Sequence, residues 1–112
     1  MFKTIYKHLV ANGFDCYSIG QHEGDCKKEY IVIKNNTPRA LSNILLEEEV
    51  ELLVYYPIGE YSKMEDFITS IKVAMNELTY EDNFTPYPII TEDGKEAYMT
   101  ILSYKNVRKR VF

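Results

Sequence analysis

Three side chains in the first quarter of the chain could together hold a metal ion. Cys16, His22 and Cys26 form a C-x5-H-x3-C string, and thiolate with imidazole is a donor set that suits zinc. Structural zinc takes four ligands at tight spacings such as C-x2-C, so Glu23 or Asp25 would have to complete the set, because no further cysteine exists. The incidental reading is stronger, since in a reducing compartment two separated thiols ordinarily serve as small buried apolar groups. His8 stands among Lys3, Lys7 and Asn12 and reads as an exposed helix residue rather than a catalytic one. Neither histidine has a Ser, Cys or Asp at a spacing that marks a nucleophilic triad. The five glycines are isolated, so each reads as a turn or cap rather than part of a phosphate-cradling loop. Glu47, Glu48, Glu49 and Glu51 could bind a cation or share a proton, but an acidic run at a strand entry reads first as a solvated edge. On these residues the chain is expected not to be an enzyme and to need no cofactor or metal.

The elements that would position such residues follow from periodicity. Phe2, Ile5, Tyr6, Leu9 and Val10 fall on one helical stripe that Gly13 ends. Residues 14–19 and 28–33 are strand-like and flank a polar connection, which predicts a hairpin. Residues 35–38 are a turn cluster, and Leu41 to Leu46 is read as a strand returning to the sheet. Val50 to Tyr56 is the clearest strand, closed by Pro57 and Gly59. Ser62-Lys63-Met64-Glu65 has the form of a capping box. A second helix to about residue 79 would then bury Met64, Phe67, Ile68, Ile71, Met75 and Leu78. Pro88 to Thr91 predicts a short edge strand, and Asp93-Gly94 a hairpin into a last strand from Lys95 to Lys105. That strand sets Ala97, Met99 and Ile101 on one face and Tyr98, Thr100, Leu102 and Tyr104 on the other. The expectation is one α+β domain over residues 1–112, with a mostly antiparallel sheet of about four to five strands, two helices on one face, and the order α-β-β-(β)-β-α-(β)-β.

Size and charge narrow the function classes. A chain of 112 residues can bury roughly two-thirds of its unfolded surface in one core. The net charge is −4, yet Lys105, Arg108, Lys109 and Arg110 supply four positive charges at the C-terminal end, leaving −8 on the remainder. An acidic body argues against general nucleic-acid binding, and the basic end reads first as a solvated tail. No apolar run approaches the ~20 residues of a membrane span, and the early Lys3, Lys7 and His8 break any leader-like stretch, which predicts a cytosolic protein. Ten residues are Tyr and none is Trp; Tyr joins apolar area to a hydroxyl that tolerates water, a combination suited to contact surfaces. Tyr55, Tyr56, Tyr61, Tyr98 and Tyr104 are therefore the candidate interface residues, and filling a small core with wet edges is the competing reading.

Val50-Glu51-Leu52-Leu53-Val54-Tyr55-Tyr56-Pro57, then Tyr61-Ser62-Lys63-Met64-Glu65-Asp66-Phe67-Ile68 and a helix, resembles the small tail-completion proteins of bacteriophages and prophages. The ending Ala97-Tyr98-Met99-Thr100-Ile101-Leu102-Ser103-Tyr104-Lys105-Asn106-Val107-Arg108-Lys109 is similar to theirs. The resemblance is to the tail terminator, or tail-to-head joining, family, carried by element order and patterns of apolar, aromatic and basic residues. It implies a structural subunit that forms a ring, commonly hexameric, on the head-proximal end of the tail tube. That ring stops tube polymerisation and receives the head connector. The implied partners are further copies of the chain, the tail tube protein and the connector or neck protein. The implied places are the host cytoplasm during assembly and then the head-tail junction of the virion or tail-like particle. Lys105, Arg108, Lys109 and Arg110 would face passing DNA or an acidic partner, with no membrane involved. Another neck or head-closure component, an immunity- or inhibitor-type binding module, and a metal- or thiol-dependent enzyme around Cys16, His22 and Cys26 remain alternatives.

Overall fold

The computed structural model describes residues 2–18, 28–35, 39–40, 42, 45–59, 61–82, 88–92 and 97–109. The elements are α1 (Phe2–Ala11), β1 (Cys16–Ser18), β2 (Tyr30–Asn35), β3 (Arg39–Ala40), β4 (Leu45–Pro57), α2 (Tyr61–Met75), β5 (Glu81–Asp82), β6 (Ile90–Glu92) and β7 (Ala97–Lys109). They make a seven-stranded sheet in the order β1-β2-β4-β7-β5, with β3 on β4 and β6 on β7. All pairings are antiparallel except β1 with β2. The α+β class and the two helices on one face are as the periodicity predicts; the strand count exceeds the expected four to five because β3 and β5 are two-residue strands.

Gly13 ends α1 through a Schellman motif. The Gly13 N–H donates to the Val10 carbonyl at 3.0 Å and the Phe14 N–H to the Leu9 carbonyl at 3.0 Å, while Gly13 itself takes φ 90°, a conformation that costs a residue with a Cβ. The cap turns Phe14 back onto the core below Leu9. Open space surrounds the position, so Gly13→Ala should lose about 1 kcal/mol through backbone strain alone. Urea unfolding would show the midpoint falling at unchanged slope. The buried stripe of α1 is narrower than the spacing suggests: Ile5 and Leu9 are fully buried, whereas Tyr6 and Val10 are exposed.

Three elements differ from expectation. Residues 14–19 and 28–33 do not form a hairpin; Cys16, Tyr17 and Ser18 run parallel to Ile31, Val32 and Ile33. Parallel neighbours need a crossover of about a dozen residues, and the stretch between Ser18 and Tyr30 approaches that length. The arrangement sets Cys16 beside Ile31 under the helices and leaves the other edge of β2 to β4. The strand expected over 41–46 is divided: β3 is Arg39–Ala40, and Leu45 and Leu46 already belong to β4. Finally, α2 begins at Tyr61, so Ser62 sits inside the first turn rather than at the N-cap, and the helix ends at Met75, where tighter turns continue the chain through Leu78. The β6–β7 pairing, with Glu92 opposite Ala97, is what a hairpin through Asp93-Gly94 requires; residues 93–96 lie outside the described residues.

Pleat alternation divides the sheet's side chains into two apolar sets. Under the helices, Ile5 and Leu9 of α1 and Met64, Ile71, Ala74 and Met75 of α2 close over Ile31, Ile33, Val50, Leu52, Val54 and Tyr104. On the opposite face, Tyr30, Tyr55, Ala97 and Met99 form a second buried cluster, flanked by half-buried Tyr17, Val32, Leu53 and Ile101. Strand β7 thus contributes apolar groups to both sides, as its alternation predicts.

Candidate interaction surface

Strands β4 and β7 pair over their whole length, from Pro57 opposite Ala97 to Leu45 opposite Lys109. β2 reaches from Tyr55 to Val50 along β4, so the stretch Leu45–Glu49 with Lys105–Lys109 runs on as an arm flanked, among the described residues, by the two-residue strands β3 and β5. The molecule is accordingly long, 48 × 26 × 25 Å.

This arm corrects two expectations. Glu47, Glu48 and Glu49 are not a solvated edge at a strand entry; they are half-buried within β4. The last strand does not end at Lys105 but runs to Lys109, so Arg108 and Lys109 belong to β7. Both follow from one ribbon, in which the acidic run of β4 lies opposite Lys105–Val107 of β7. Glu49 stands opposite Lys105, Glu48 opposite Asn106 and Glu47 opposite Val107, with Arg39 of β3 opposite Glu47 on the other side. Opposite charges directly across a ladder stabilise it, and like charges there would not. Lys105 also reaches Glu81 of β5, Nζ to Oε2 at 3.9 Å, and the Ser103 hydroxyl donates to Glu49 at 3.4 Å. Arg108 and Lys109 occupy the last register positions, opposite Leu46 and Leu45; Arg110 lies outside the described residues.

The five tyrosines separate by burial. Tyr104 is 3% exposed and packs under the helices, and Tyr55 is 7% exposed in the second cluster, stacked on Tyr30 with centroids 4.8 Å apart and planes at 15°. Both rings are almost wholly buried in the chain's own cores, not on its surface as their place among the interface candidates expected. Tyr56 is half-buried against Phe67 at 5.7 Å. Tyr61 is 49% exposed and meets half-buried Tyr98 edge-on at 5.6 Å. Tyr61 and the neighbouring exposed Ile58 lie where β4 ends and α2 begins, at the pole opposite the arm.

His8 is half-buried, not exposed, because its Nε2 lies 2.7 Å from the Ala74 carbonyl at the end of α2 and 3.5 Å from Glu77. A ring N–H donating there satisfies a carbonyl near the helix end and ties α1 to α2. Sequence spacing carries no sign of that contact, which joins residues far apart in the chain.

Cys16 is buried in the helix-side core, and burial, with a smaller contribution from Asp15, pushes its thiol up to about 12. Such a thiol stays protonated at neutral pH and is a poor nucleophile; His22 and Cys26 lie outside the described residues. In a Cys26→Ser background, Cys16 should react with iodoacetamide at pH 8 at least about a hundredfold more slowly in native protein than in denaturant. Equal rates would place the thiol outside the core. The Tyr104 hydroxyl is likewise pushed up to about 12 by burial first and Asp82 second, and the Tyr17 hydroxyl is raised chiefly by donating a 3.0 Å hydrogen bond to Asp15. The fold therefore favours neutral Cys16 and Tyr104. Their contribution is complete below the ordinary values of 9.0 and 10.0 and is lost as pH rises toward 12. Unfolding midpoints should fall across that window, and Tyr104→Phe should flatten its upper part.

No protein-family model matches the chain, and no curated protein matches it in sequence.

Proposed function

We propose that this chain is a structural assembly subunit of the tail-terminator kind, which joins further copies into a ring on the head-proximal end of a phage or prophage tail tube and receives the head connector there. The observation that carries this reading is the bipolar long axis: a charged β4–β7 arm at one pole and exposed Ile58 and Tyr61 at the other. A ring is built by a heterologous contact, in which two different patches of one subunit meet in neighbouring copies. A subunit whose two ends differ in chemistry supplies two such patches. The α+β architecture and the long final strand agree with what the sequence resemblance implies. DNA passing through such a ring would meet few, non-specific basic contacts, in keeping with the chain's overall acidity.

Light scattering of the full chain, alone and after mixing with polymerised tail tubes, combined with electron microscopy of tube ends, tests the reading. Rings at one end of the tubes, with tube growth arrested, are the expected result. A monomer that ignores tubes would remove the terminator reading in favour of a soluble-partner binding module.

A further inference from the structure

Among the described residues the sheet carries helices on one face only, where the buried residues of α1 and α2 join the core. An antiparallel sheet of that kind ordinarily turns polar residues to its open face. Here strand register assembles an apolar row across the open face instead. Tyr17 stands opposite Val32, Val32 opposite Leu53 and Leu53 opposite Ile101, one residue from each of β1, β2, β4 and β7. All four side chains are half-buried and border the Tyr30–Tyr55 cluster. The next row toward the arm on the same face is Lys34, Glu51 and Ser103, again opposite one another; Lys34 is exposed and Glu51 half-buried.

We infer that this face packs against the same face of a second copy, the two sheets aligned about a two-fold axis that runs along the strands between β2 and β4. Rotation about that axis exchanges β2 with β4 and β1 with β7, which are symmetrically placed in the strand order. It therefore lays Val32 on Leu53 of the second copy and Tyr17 on Ile101 of the second copy, so the apolar row maps onto itself as a two-fold contact requires. The same rotation sets Lys34 against Glu51 of the second copy and Glu51 against its Lys34, so the charges bordering the row are complementary to themselves. Because the apolar row and the ionic pair share one centre, the face fits a second copy better than an unrelated apolar surface. Aligned packing of two sheets is an ordinary way of covering such faces. With the axis along the strands both arms point the same way, which leaves the poles of the long axis free for any ring contact.

Sedimentation equilibrium of the full chain from about 1 μM to about 1 mM should show monomer passing to dimer. Leu53→Glu should abolish the dimer. Lys34→Glu and Glu51→Lys should each weaken it about tenfold, because either change sets like charges across the axis. An equimolar mixture of those two variants should dimerise as the unmodified chain does, since each copy then meets its complement. A charge pair acting only within one subunit gives no such rescue. Should Leu53→Glu fold poorly, the mixing experiment at positions 34 and 51 carries the same test. A monomer across the whole range, self-association that ignores all three substitutions, or no rescue on mixing would each overturn the inference.

Discussion

Tyr30→Ala is expected to destabilise the protein by about 3–5 kcal/mol, the cost of deleting a large buried aromatic ring and leaving a cavity behind. Tyr30 is 1% exposed on the sheet face away from both helices. Its ring stacks on Tyr55 and takes Tyr17 edge-on at 5.8 Å, geometries that add to area burial. A domain of this size has about 6–17 kcal/mol in total, so one substitution on the helix-free face would remove a large share of it. Tyr30→Phe, which keeps the ring, should cost far less. Denaturant titration gives both values, and a loss under about 1 kcal/mol for Tyr30→Ala would show that the second cluster is surface decoration rather than core.

Leu52→Ala, on the other face, should cost about 3 kcal/mol. Leu52 is fully buried near the middle of β4, with Ile33 beside it in β2 and Leu102 beside it in β7. Three strands and the helices hold these neighbours, so the site has little freedom to collapse into the void. Leu53→Ala makes the matched control: it is adjacent in sequence, half-buried on the opposite face, and should lose distinctly less. If the two losses were equal, the assignment of alternate β4 residues to opposite faces would be wrong.

The helices and the central strands were legible because local chemistry and global packing agree there. Ile5 and Leu9 before a left-handed Gly13, the Met64-to-Leu78 stripe and the apolar run from Val50 each state in a short window what the fold does with them. Strand direction was not legible, since alternation reports which face a side chain takes and says nothing about whether β1 runs with β2 or against it. The length of β4 was hidden by Glu47–Glu49, whose strand propensity is low and whose partners in the ladder, Lys105 to Val107, lie far along the chain. A signal was nonetheless present: an acidic run before one long apolar strand and a basic run after another is what an antiparallel ribbon with matched ends requires. Tyrosine misled for the opposite reason. Its ring suits a wet interface and a small core alike, and only burial separates Tyr61 from Tyr55 and Tyr104.

The full-length pairing of β4 with β7 also governs how the chain can find its fold. The nearest pair in the ribbon, Pro57 with Ala97, closes a loop that contains α2, β5 and β6, so loop-closure entropy delays the first ladder contact until much of that segment is collapsed. From there each further pair adds little loop, and the ribbon can zip from Pro57 and Ala97 toward Leu45 and Lys109. The charged arm is then the last part to form and the first to fray, and its opposite charges act late, holding register after the apolar half has chosen it. Folding rates should respond strongly to substitutions near Val54 and Thr100, while substitutions near Leu45 and Lys109 should change mainly the unfolding rate.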